Sequence, residues 1–191
     1  MRRQHEQDIN TGEHFDALYA GPRRQEMLAD PSIAFMLPCV AAYHVLDVGC
    51  GWGQYRKCLR GCLSYTGIDF APEAIEQAKQ AYPAATWVQH DFTDGLPFDS
   101  ARFHAILCLE VLEHLEEPRR LIREIRRVLF PSGLAIFSVP YRDQIKTPEH
   151  LWEFEESDWP DLLSEFHSHA LFRYGSHPHD PWEHFLVLAR K

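Results

Sequence analysis

Val45-Leu46-Asp47-Val48-Gly49-Cys50-Gly51-Trp52-Gly53 is the stretch that decides the fold of this chain. Its apolar residues read as a buried strand. The glycines that follow let backbone approach a ligand where a side chain would collide. The spacing G-x-G-x-G differs from G-x-G-x-x-G, which seats a pyrophosphate on a helix N-terminus. Asp47, just ahead of the glycines, would be unwelcome beside a pyrophosphate and suits a cationic ligand. A glycine-rich turn alone is equally the mark of a tight connection, so the flanking sequence has to decide.

Outward from that turn, short β-like runs alternate with helical periodicity, the pattern of a parallel α/β sheet. The first strand is His44 to Val48, and a helix of about two turns is expected toward Cys62. Strands two and three are Ser64 to Asp69 and Thr86 to Gln89. Between them lies a helix from Pro72, with Glu73 in its first turn and Ile75, Ala78 and Tyr82 facing inward. Strand four is Phe103 to Cys108. The arginine-rich helix from Pro118 stops before the turn Phe130-Pro131-Ser132-Gly133, and strand five is Leu134 to Val139. The polar, aromatic stretch Tyr141 to Glu156 reads as a loop over the carboxyl edge, followed by a helix near Ser157 to Phe166. His169 to Tyr174 and His184 to Arg190 are separated by too short a spacer for a crossover, so they pair antiparallel. The expected architecture is α/β: a Rossmann-like seven-stranded sheet, mostly parallel, closed by an antiparallel C-terminal hairpin. Residues 1–191 read as a single domain, with 1–30 a helical lid and 141–168 a substrate-side loop and helix.

Composition excludes several classes. With 45% apolar and 25% charged residues, the 191-residue chain is of ordinary globular type rather than disordered or fibrous. Its longest apolar runs are too short to cross a bilayer, and the polar N-terminus has no secretory h-region. A cytoplasmic location is the default, and five cysteines without a CxxC pair agree with it. A net charge of −9 argues against a polyanionic partner. Arg119, Arg120, Arg123, Arg126 and Arg127 lie opposite the apolar stripe Leu121, Ile122, Ile125, Val128 and Leu129, and read as a solvated helix face.

Two more acidic residues follow strand ends. Asp69 closes strand two, about 20 residues past the glycines, where a carboxylate reaches ribose hydroxyls. Asp91 follows strand three, placed to accept from an adenine amino group while Phe92 offers an apolar wall. Each alone is equally a cap or turn residue. With Asp47 they mark three successive strand ends, the edge where open α/β sheets bind ligands.

The motifs Val-Leu-Asp-Val-Gly-Cys-Gly-Trp-Gly, Gly-Ile-Asp, His-Asp-Phe and Glu-Val-Leu-Glu-His, in this order over Tyr43 to Val139, resemble the class I S-adenosylmethionine-dependent methyltransferases. The resemblance implies that Asp47, Gly49 and Gly51 surround the methionine part of the cofactor. Asp69 would hold the ribose with Phe70 beside it, and Asp91 with Phe92 the adenine. The Leu109 backbone would meet the methionine amino group, and Tyr19 would close over the ligand. Phe130-Pro131-Ser132-Gly133 departs from the family's usual Lys-Pro-Gly-Gly in a structural turn.

Glu110, Glu113 and His114 stand at i, i+3 and i+4, and on a helix they would share one face. Two carboxylates and an imidazole suit a divalent cation, with His150 as a fourth ligand. The segment is similar to that of metal-dependent small-RNA 2′-O-methyltransferases and ubiquinone-pathway O-methyltransferases. It also occurs in family members that need no metal, where these residues line the pocket. Without a metal, His114 is the nearest base for a hydroxyl acceptor. His167, His169, His177, His179 and His184 read as loop or surface residues on the far side of the sheet. Trp152, Phe154 and Trp159 either line an acceptor pocket or pack the last helix. O-methylation of a small-molecule or glycan hydroxyl comes first, and an RNA 2′-hydroxyl second. A non-catalytic cofactor-binding protein and a nicotinamide dehydrogenase are the rival readings.

Overall fold

Side chains alternate across a strand, and in this sheet both faces are covered. The computed structural model describes residues 1–3, 10–20, 33–34, 37, 43–59, 61–141, 147–177 and 180–191. In chain order its elements are β1 (Arg2–Arg3), α1 (Gly12–Ala20), β2 (His44–Val48), β3 (Ser64–Asp69), α2 (Pro72–Ala81) and β4 (Thr86–Gln89). Then come β5 (Phe103–Leu109), α3 (Pro118–Val128), β6 (Leu129–Pro140), β7 (Trp152–Glu153), α4 (Trp159–Leu162), β8 (Ser168–His177) and β9 (Asp180–Arg190). Leu46, Val48, Ile106, Cys108 and Phe137 face the apolar stripe of α3, while Val45, Ala105, Leu107 and Ile136 pack with Tyr55, Leu59 and Tyr65.

The seven strands run in the order β4-β3-β2-β5-β6-β9-β8. β2 to β6 are mutually parallel, and β9 and β8 are antiparallel to their neighbours. This is the Rossmann-like sheet with the antiparallel closing hairpin that the sequence indicates. Strand order reverses between β2 and β5, and ligands of open α/β sheets bind in the crevice beyond the carboxyl ends at such a point. The turn at Gly49 and the bend at Glu110 meet there: a Cβ added to Gly49 would lie 2.4 Å from Val111 Cγ2.

Several elements differ from the sequence reading. Among the described residues no two-turn helix follows the glycines. Gly49, Gly51 and Gly53 all have positive φ (69°, 51° and 81°), which blocks an α-turn, and only the short 3-10 helix Arg56–Cys58 follows. After β5 the segment is not α-helical either. Glu110 bends at φ +56° and Leu112–His114 forms one 3-10 turn. β6 begins at Leu129, because the Phe130–Gly133 excursion with Ser132 at φ +65° stays within the strand and shifts its register against β5. The helix expected over Ser157 to Phe166 shortens to 3-10 Glu156–Asp158 and α4. Part of the expected loop is a strand: β7 pairs antiparallel with β1, Arg3 opposite Trp152. In the N-terminal lid only α1 is helical among the described residues up to position 30, and Asp16 Oδ1 in it accepts the Glu73 N–H at the start of α2 at 2.9 Å.

The arginine face of α3 is largely neutralised by carboxylates. Arg119 pairs with Asp161, Arg120 with Asp94 at 3.5 Å, Arg126 with Glu165 at 3.9 Å and Arg127 with Glu124 at 2.8 Å. Among the described residues no helix is long and apolar enough to cross a membrane.

Candidate active site

A cavity of about 330 Å³ opens at the strand-order reversal, roofed by α1. At one end Gly49, Asp69, Phe70, Asp91, Phe92 and Tyr19 line it, all residues singled out from the sequence. Phe15, Phe70 and Phe92 form an edge-to-face chain at centroid distances of 5.3 and 6.3 Å, an apolar wall suited to a flat ring. Tyr19 is buried, and its hydroxyl would sit 2.8 Å from a Cβ on Gly51, so the lid rests directly on bare backbone. Gly51 and Leu109 are not among the lining residues.

The acidic residues play different structural parts. Asp69 accepts from Gly51 N at 2.8 Å and Ala71 N at 3.0 Å. Burial pushes its pKa up to about 6, against the lowering effect of these amide donors. Asp91 caps the 3-10 turn through Thr93 N and Oγ1 while lining the cavity. Asp47 does not line it. Strand alternation puts Asp47 on the Val45 face, where its buried carboxylate accepts the Tyr65 hydroxyl, and burial raises its pKa to about 7.

At the other end of the cavity stands His114. One ligand-type atom from each of Glu113, His114 and His150 lies within 4.8 Å of the others. His114 Nδ1 is 2.9 Å from the Glu149 carbonyl. A carbonyl only accepts, so Nδ1 carries the proton and Nε2 keeps its lone pair, 3.8 Å from Glu113 Oε1. Burial, and then the neighbouring His150, press the His114 pKa down to about 4. Glu110, the fourth residue of the expected ligand set, is not in the converging group. Its Oε2 lies 3.2 Å from His184 Nδ1. Burial would raise its pKa, but the contacts with His184 and Ser138 and the charge of His150 hold it below the usual carboxylate value.

His184 is therefore misplaced by the sequence reading. It reaches the carboxyl edge of the sheet beside Glu110, because β9 runs antiparallel to β6 and sets His184 opposite Pro140. Phe154 and Trp159 are fully buried and stack at 5.7 Å, which makes them core, and Trp152 donates to the Leu115 carbonyl at 2.8 Å. Sequence reasoning also missed Asn10, Phe15 and Glu149. Asn10 Nδ2 bonds the carbonyls of both His114 and Glu149, at 2.8 and 3.0 Å. Phe15 packs edge-on against Phe70 at 5.3 Å and His114 at 5.6 Å, bridging the two ends. No local pattern announces such contacts across distant parts of the chain.

Residues 46–137, which hold the glycine turn and the acidic strand ends, match the model of a family described as a methyltransferase domain. That stretch is a methyltransferase domain. Over 105 residues the chain is 35% identical to ubiquinone biosynthesis O-methyltransferase of Coxiella burnetii, covering 52% of itself and 44% of that protein. The chain thus spans about half the length of the curated relatives it matches. In fold it resembles the N-methyltransferase NodS of Bradyrhizobium japonicum, solved with S-adenosyl-L-homocysteine. That match has a TM-score of 0.77 at 21% identity, over 95% of this chain and 98% of NodS. The [4+2]-cyclase SpnF matches with TM-score 0.76 at 16% identity, over 94% of each chain. The methyltransferase fold is therefore shared with a protein named for different chemistry.

Proposed function

We propose that this chain transfers the methyl group of S-adenosylmethionine to a hydroxyl of a small molecule or glycan. The observation that carries this reading is one continuous cavity joining Gly49, Asp69, Asp91 and Phe92 to Glu110 and His114. The first group supplies bare backbone, carboxylate acceptors and an aromatic wall for an adenosine. Gly51 and the Leu109 backbone support it from behind, and Asp47 acts through the turn rather than by contact. Tyr19 and Phe15 exclude water. Because the sulfonium leaving group is already activated, alignment of acceptor and methyl supplies most of the rate.

The acceptor hydroxyl must lose a proton. His114 is neutral, with Nδ1–H committed to Glu149 and a lone pair at Nε2. A base with so low a pKa suits a hydroxyl that is itself acidic, such as a phenol or enol. Glu113, His114 and His150 also fit a divalent cation: the donor set mixes carboxylate and imidazole, and the Glu149 carbonyl orients one imidazole as ligand histidines require. A bound divalent ion would polarise the hydroxyl and lower its pKa.

Two other readings are weaker. An RNA 2′-hydroxyl would bring phosphates to a cavity walled by Glu110, Glu116 and Glu117, whose cation Arg120 is paired with Asp94. A binding or non-methylating role is favoured only by the likeness to SpnF. The test combines binding of S-adenosylhomocysteine by calorimetry with its formation from S-adenosylmethionine in the presence of phenols and sugars, with and without divalent cations. Product formation with any of these acceptors supports the reading. Binding without turnover across the panel would move the chain to the non-methylating class.

A further inference from the structure

The closing hairpin brings an imidazole against Glu110, a residue that lines the cavity. His184 Nδ1 lies 3.2 Å from Glu110 Oε2, and Tyr174 stacks on the same imidazole at 5.4 Å and 23°. The Glu110 N–H is shared between the Ser138 carbonyl at 3.0 Å and the Ser138 hydroxyl at 3.2 Å. These contacts hold Glu110 at φ +56°, a conformation that crowds an L side chain. Strain of this kind persists where the surroundings over-determine it, and it clusters at ligand clamps.

One carboxylate oxygen thus sits at ion-pair distance from the His184 imidazole. The other, Oε1, is buried and has no hydrogen-bond partner among the described residues, although Glu110 lines the cavity. A buried acceptor left unpaired is costly unless a ligand donor meets it. Its position is specific: Val111, the next residue, abuts Gly49 on the cofactor side, while His114 stands on the other side.

We propose that Glu110, set beside His184 and Ser138, accepts a hydrogen bond at the place of transfer from a donor group of the methyl acceptor next to the reacting hydroxyl, whose own proton passes to His114. His184 is then a positioning residue that sets the direction of the free carboxylate oxygen. This rests on the methyl-transfer reading above.

The test needs no knowledge of the acceptor. S-adenosylhomocysteine carries no donor where the methyl is transferred, whereas sinefungin carries an amine there. Calorimetry on the full chain should give wild type at least about a tenfold preference for sinefungin. Glu110→Gln and His184→Leu should lose that preference while holding S-adenosylhomocysteine within about twofold of wild type. His184→Asn, whose side-chain amide can stand beside the Glu110 carboxylate in place of the imidazole, should restore it. Wild type without the preference, or both variants retaining it, would overturn the inference. So would a parallel loss of both ligands in the variants, which marks a merely structural role. Wild type that binds neither ligand would sink the methyl-transfer reading first, and this inference with it.

Discussion

Beneath the glycine turn the Tyr65 hydroxyl donates to the Asp47 carboxylate, and neither residue lines the cavity. The two side chains share a sheet face because Val45 pairs with Tyr65 and Asp47 with Gly67 in parallel register. The acidic residue of the motif thus works as a buried polar strut under the backbone of the glycine turn.

That strut has a pH signature. The folded pKa of Asp47 is about 7 against an ordinary 3.8. The folded chain therefore holds this proton more tightly than the unfolded chain, and the contribution of Asp47 to stability falls as pH rises from about 4 to about 7. His114 works in the opposite sense, since its folded pKa near 4 lies below the ordinary 6.5 and its contribution is lost as pH falls through that range. The test is consequently a difference. Urea unfolding of wild type and Asp47→Asn at pH 5 and pH 7 should show the variant gaining relative stability at the higher pH, on the order of 2 kcal/mol. Parallel pH dependence of the two proteins would count against a buried, protonated Asp47.

Gly51 carries a steric requirement as well as a positive φ. An added Cβ would stand 2.8 Å from the Tyr19 hydroxyl and 3.1 Å from Gln54 Oε1, at φ +51°. Gly51→Ala should destabilise the chain by about 1–2 kcal/mol. It should also weaken S-adenosylhomocysteine binding about tenfold or more by displacing the lid. Thermal melts and calorimetry read the two effects separately. Wild-type affinity in this variant would show that Tyr19 does not close over the ligand.

The backbone at Glu110 allows a stability comparison. At φ +56° an alanine keeps the strain and a glycine relieves it. Glu110→Gly should be more stable than Glu110→Ala by about 1 kcal/mol, while both lose the carboxylate. Equal melting temperatures for the pair would mean that the bend relaxes once the side chain is gone.

The convergence of Glu113, His114 and His150 separates the proposed ligand set from the one suggested by spacing. If a divalent cation binds, Mg²⁺ or Mn²⁺ should raise the melting temperature of wild type and Glu110→Gln. His150→Ala and Glu113→Gln should abolish that rise. A response lost equally in Glu110→Gln would restore Glu110 to the set.

Legibility followed sequence distance. The bounds of β2, β3 and β4 and the apolar stripe of α3 agree with the local pattern, because period-2 and 3.6-residue burial are written in neighbouring residues. The segment from Glu110 to His114 misled for a local reason. Its i, i+3, i+4 spacing is that of a helix, yet a positive φ at Glu110 and a single 3-10 turn break the shared face. His184 misled for a distant one, since its place depends on hairpin register against β6.

By itself the sequence determined the layered sheet, the glycine turn at its reversal point and the aromatic and acidic residues around one end of the cavity. Those follow from alternation of apolar side chains and from the few residues that tolerate a left-handed backbone. Only the tertiary structure decided that Asp47 turns to Tyr65, that Asn10 and Phe15 bind the lid to the His114 loop, and that His184 meets Glu110. Each of these is a contact between segments remote in the chain. Its geometry is set by strand pairing and packing, which no local pattern encodes.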